Sequence, residues 1–140
     1  MKKYLITIFL ILTLIYSCQK DDSIIGPNQE GKFAYQAYDS LGQLVVDGWL
    51  TIEVIDSKTV KGSWQLDNLK NRTDIGMQDG DGDLIGYIDN SSISINLNPQ
   101  YADHNVYLNG KISDKIIEGE WMWATFIGPT NWGTFKASKN

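Results

Sequence analysis

The chain has 140 residues, enough for one folded domain, because domains mostly run about 100–150 residues. Hydrophobic residues make up 42% and charged residues 21%, a globular composition that excludes collagen-like and intrinsically disordered chains. With 12 basic against 17 acidic residues the net charge is −5, which argues against nucleic acid as a partner; one cysteine rules out an internal disulfide, and one histidine rules out a His-rich metal site.

At the N-terminus, Met1, Lys2 and Lys3 form a positive leader, followed by an uncharged and mostly apolar run of 13 residues from Tyr4 to Tyr16. A spanning helix needs roughly 20 apolar residues, so this run reads as a secretory signal peptide rather than a membrane span. Its end, Leu14-Ile15-Tyr16-Ser17-Cys18, resembles the lipobox of bacterial lipoproteins, in which cleavage before a cysteine is followed by lipidation. The resemblance implies that residues 1–17 are the signal peptide and that Cys18 carries the lipid, anchoring the protein to a membrane without a helix. Cys18-Gln19-Lys20-Asp21-Asp22 further resembles the acidic surface-export signal of Bacteroidota lipoproteins, which implies an outer-membrane, cell-surface location. Residues 18–30 are polar, contain Gly26 and Pro27, and read as a tether with a reach of roughly 20 Å.

From Gly31 to the end, apolar and polar residues alternate at period 2, and turn residues recur at short intervals. The pattern predicts eight strands over 32–39, 44–55, 59–66, 83–89, 92–97, 105–113, 115–126 and 132–138, joined mostly by connections too short for parallel crossovers. An apolar-x-Gly-x-apolar pattern recurs five times and puts Gly48, Gly62, Gly86, Gly110 and Gly119 on the inward face of their strands. Glycine costs stability inside a strand, so this recurrence points to sharp sheet curvature and to an antiparallel, eight-stranded up-and-down β-barrel. A two-sheet β-sandwich is the alternative fold. Gly62-Ser63-Trp64, Gly119-Glu120-Trp121 and Gly133-Thr134-Phe135 carry a resemblance to small lipocalin-like and avidin-like barrels of secreted bacterial proteins, and this implies the barrel without naming a ligand.

The strand phases aim Trp64, Trp121 and Trp123 inward, as core or as the wall of a pocket for a small apolar molecule. Trp49 has the opposite phase, and Trp132 follows a Gly-Pro loop near the rim; either can stack on a glycan or touch a partner. Asp79, Asp81 and Asp83 alternate in a spacing that could converge on Ca²⁺, although an EF-hand pattern fails there, and a Gly-Asp turn explains the same residues. The connection 67–82 is the longest, and Ile75 and Met77 in it leave room for a short additional strand over 73–78. His104 beside Asp103 lacks a nucleophile in a recognisable pattern, and Glu118 and Glu120 read as two solvated strand acids. With no cofactor motif and no nucleophile–base pair, the expectation is a non-catalytic, lipid-anchored module. It binds a small apolar ligand or glycan, or else is a filled barrel that contacts envelope or host proteins through its outer face.

Overall fold

The computed structural model describes residues 29–139. Cys18 and the proposed signal peptide and most of the tether lie outside the described residues. Eight strands follow one another: β1 (Gly31–Asp39), β2 (Leu44–Val54), β3 (Thr59–Asn68), β4 (Gly80–Asp89), β5 (Ser92–Asn96), β6 (Asn105–Ile112), β7 (Ile116–Thr125) and β8 (Gly128–Ser138). Each pairs antiparallel with its neighbour in sequence, and β8 returns to pair with β1, closing the barrel. Closure satisfies every strand edge along the shared ladder, and the eight-strand size leaves an interior about as wide as side chains can fill. Glu30 is already fixed to the wall, where its carboxylate accepts from the Val54 amide at 3.0 Å.

The alternation sorts the residues as period 2 requires. Phe33, Tyr35 and Ala37 of β1 point inward, as do Leu50 and Ile52, Trp64 and Leu66, Leu84 and Ile88, Val106 and Leu108, Ile117 and Trp121, and Phe135 and Ala137. Phe33, Leu50, Leu66, Leu108 and Trp121 are wholly inaccessible, so no water-sized void borders them. The barrel is therefore solid along its axis at these levels.

The inward glycines face large side chains across the ladder. Tyr35 pairs with Gly48, Trp64 with Gly82, Trp121 with Gly133 and Phe135 with Gly119. At Gly82 and Gly133 the paired indole covers space that a side chain would take, whereas at Gly48 and Gly119 main-chain atoms of the other neighbouring strand do. A Cβ on Gly82 would stand 2.8 Å from Trp64 Cζ2, and one on Gly133 2.7 Å from Trp121 Nε1. Gly110 and Gly119 oppose one another, and a Cβ on either would collide with main-chain atoms of the neighbouring strand.

Two ends of the barrel differ. At one end, where β1 starts, the connections are tight and polar: Asp56-Ser57-Lys58, Asn90-Ser91 and Ser113-Asp114-Lys115. At the other, residues 69–79 fold back over the opening. Ile75 and Gln78 are buried, the Tyr35 hydroxyl donates to Gln78 Oε1 at 2.8 Å, and Gln78 Nε2 donates to the Ile75 carbonyl at 2.8 Å. Asn98 ties this plug to the next loop, donating to the Met77 carbonyl and accepting from the Val106 amide.

Several boundaries depart from the sequence expectation. No strand forms over 73–78; the alternation there serves a loop that turns Ile75 inward, while Gly76, at φ 67°, bends it against Trp123 and Val106. β4 begins at Gly80 rather than 83, because 80–82 pair with 64–66 of β3. β8 begins at Gly128 rather than 132: Gly128 and Pro129 pair with Thr125 and Ala124 after a bulge, and the two-residue tip is Phe126-Ile127.

Candidate functional site

The interior tryptophans are used by the fold. Trp64 donates from Nε1 to the Leu97 carbonyl at 2.6 Å, and Trp121 donates to the Tyr38 carbonyl at 2.9 Å, so both indoles bolt a strand to a main-chain group across the barrel. A buried Trp whose N–H is satisfied by the main chain has no polar handle left for a ligand. Trp123 is different. It is partly buried, stacks on His104 with centroids 5.9 Å apart, and its indole N–H is buried without an acceptor among the described residues. His104 sits at φ 62°, with Nε2 3.5 Å from Asp103 Oδ2. Trp132 lies on the outer surface of β8 opposite Met122 and is 58% exposed.

The outer wall of β2, β3 and β4 carries a groove. Register places Trp49 beside Gln65 and Gln65 beside Asp81 in one row, and Thr51, Ser63 and Asp83 in the adjacent row. Trp49, Ser63, Trp64, Gln65, Asp81, Gly82, Asp83 and, from the β5–β6 loop, Gln100 line an open cleft of about 540 Å³, within the usual size range of ligand sites. A second cleft of about 510 Å³ shares Ser63 and Asp83 and continues past Thr51, Glu53 and Lys61. Together they form one surface with an aromatic at one end and acceptors along it. Lys32 places its ammonium 3.8 Å from the Trp49 ring centroid, a cation–π contact that orients the indole. The floor is fixed by Thr51, whose hydroxyl accepts from the Ser63 amide at 2.9 Å.

Asp81 and Asp83 thus share one outer face, whereas Asp79 accepts from the Asn68 amide at 3.2 Å at the strand's entrance. Among the described residues no group of three His, Cys, Asp or Glu side chains could hold a metal ion. The calcium expectation for Asp79, Asp81 and Asp83 required them to converge around a turn; two of the three instead lie along β4. Glu118 is flanked across the ladder by Lys111 and Lys136, and Glu120 by Asn109 and Thr134, with no second acid opposite either.

One charged centre carries no recognisable sequence signature. Arg72, in the plug, reaches Asp39 Oδ2 at 2.9 Å and Asp74 Oδ2 at 2.6 Å, and its Nε donates to Asp74 Oδ1 at 2.7 Å. Amides of Gln43 and Leu41 also donate to Asp39, and these bonds with Arg72 hold its carboxyl below the ordinary range; the Arg72 guanidinium does the same for Asp74. Asn131 of β8 donates to the Asp74 carbonyl at 2.8 Å. This network is a clamp between the β1–β2 turn, the plug and the last hairpin, and it has the composition of a structural ion pair.

No protein-family profile matches the chain, and no curated protein matches it. Among solved structures it is similar to a redesigned β-barrel, at 12% identity and TM-score 0.46, covering 81% of this chain and 92% of that one.

Proposed function

We propose that the protein is a lipid-anchored, non-catalytic binding module of the bacterial envelope, with a solid barrel and a glycan-binding cleft on the outer wall of β2–β4. The observation that carries the reading is the company of Trp49: a partly exposed indole beside Gln65, Asp81, Asp83, Ser63 and Gln100 on a rigid ladder. A sugar ring has an apolar C–H face and a rim of hydroxyl donors and acceptors. The indole can stack on the first; carboxylates and amides can bond the second. A small apolar ligand would need interior room, and the inaccessibility of Leu50, Leu66 and Trp121 weighs against it. The two joined clefts suit an oligosaccharide better than one sugar.

The anchor belongs to the same reading and rests on the lipobox-like residues ending at Cys18, with the export-like Lys20-Asp21-Asp22 favouring the outer face of the outer membrane. Calorimetric titration with a panel of neutral oligosaccharides tests the cleft. Saturable binding that weakens at least about tenfold in Trp49→Ala while Trp132→Ala binds normally is expected, since losing one buried aromatic contact is worth ~1.5–3 kcal/mol; heat unchanged in Trp49→Ala would sink it. Cys18→Ala should move the protein out of the membrane fraction, and its retention there would contradict the anchor.

A further inference from the structure

The β7–β8 hairpin stands apart from the rest of the outer wall. β8 pairs with β1 only from Ser138 to Gly133, so Gly128 to Trp132 run beyond the end of β1 and carry the hairpin past the barrel mouth. Its tip is Phe126-Ile127, 81% and 94% exposed, and Trp132 lies behind them at 58%. Residues 121–135 contain no charged side chain, in a chain that is 21% charged. The hairpin is held firmly, because Asn131 donates to both the carbonyl and the carboxylate of Asp74 in the plug.

Three occupants can be weighed. A second copy would need about 800 Å² buried on each side, whereas three exposed side chains of at most ~250 Å² each on a convex tip fall short. An incoming β-strand meets Pro129, which lacks an amide to donate. A lipid surface asks only for an apolar tip that needs no matching shape, with an amphipathic Trp behind it at the depth of the headgroups. Trp132 is four residues from Gly128, the first residue of β8 after the tip, about 13 Å along the strand. Without Lys or Arg on the hairpin, and with an acidic chain behind it, the lipid must be neutral.

We infer that the β7–β8 hairpin is a membrane-docking element that inserts Phe126 and Ile127 into a zwitterionic lipid surface with Trp132 at the headgroup level. It stands independently of the glycan reading, and it does not use Cys18. The tip lies at the end of the barrel opposite Gly31, where the tether joins, so the assignment is tested with Cys18 replaced.

The test uses the full chain with Cys18→Ser and one new cysteine, Ile127→Cys or, as a reference in the opposite turn, Ser57→Cys, each carrying a nitrobenzoxadiazole label. Circular dichroism first confirms that both fold. With phosphatidylcholine vesicles, label 127 should shift to the blue and be quenched by lipids brominated on their chains, while label 57 stays unchanged; adding Phe126→Ser should weaken the vesicle dependence about tenfold. No shift at 127, or an equal shift at 57, overturns the assignment. A shift that requires anionic lipid overturns the neutral-surface claim, and one that grows with protein concentration without vesicles assigns the tip to self-association instead.

Discussion

Trp121 and Trp123 sit two residues apart on β7, share the inward phase, and yet do different work. The N–H of Trp121 is spent on the Tyr38 carbonyl, and that of Trp123 is buried without an acceptor. Trp121→Phe should therefore cost about 1–3 kcal/mol from the unpaired carbonyl and lost volume, while Trp123→Phe, which removes an unsatisfied donor, should be near neutral; urea denaturation of both variants checks the contrast. Sequence phase indicates the direction of the interior indoles but not the acceptors of Trp64 and Trp121, which lie 33 and 83 residues away. Tyr35 is a similar case. Burial pushes its phenol far above the ordinary value of 10.0. A folded-state pKa raised above the unfolded one contributes stability that is fully present below about pH 10 and lost as pH rises beyond it. Alkaline unfolding should start earlier in the wild type than in Tyr35→Phe, once the difference in neutral-pH stability is subtracted; coincident profiles would contradict it.

Among the elements, the strands were the most legible part because alternation with β-branched and aromatic residues leaves few other readings. The recurrent glycines were legible as inward kinks; their pairing with aromatic rings needed the register. At Gly119 an added Cβ would meet the Asn109 carbonyl oxygen within 2.1 Å, whereas at Gly80, φ +98°, open space surrounds it. Gly119→Ala should thus cost about 3 kcal/mol by forcing main chain apart, and Gly80→Ala about 1 kcal/mol from backbone strain alone. Thermal melts of the two would rank them. The plug over 69–79 was the least legible element: its composition is that of a solvated loop, and only the barrel mouth makes Ile75 and Gln78 interior. Its clamp of Arg72 with Asp39 and Asp74 follows the linkage rule for depressed carboxyls. Stability from Asp39 is present above its unfolded value of 3.8 and lost as pH falls through the lower folded one. Asp39→Asn should be less stable at pH 7 and show a shallower loss below pH ~4 than the wild type, measured by chemical denaturation across that range.

At the scale of the whole molecule, the eight-strand meander closes around side chains such as Leu50, Leu66 and Trp121 that are wholly inaccessible, and the recognition we propose lies on the outer wall. The outer phase of Trp49 was readable from its neighbours Thr51 and Glu53, but its cleft was not, because Gln65, Asp81, Asp83 and Gln100 reach it only through register and a loop. The interior and the wall are distinguishable in one spectrum. The chain has five tryptophans, and each indole N–H of a ¹⁵N-labelled sample gives its own signal, assignable by Trp→Phe substitution. Titration with oligosaccharides and, in parallel, with fatty acids and small aromatics should move the Trp49 signal with the sugar and leave that of Trp121 in place with every ligand. A saturable displacement of Trp121 by an apolar ligand, with Trp49 unmoved by any sugar, would contradict the account and make the barrel interior the binding site.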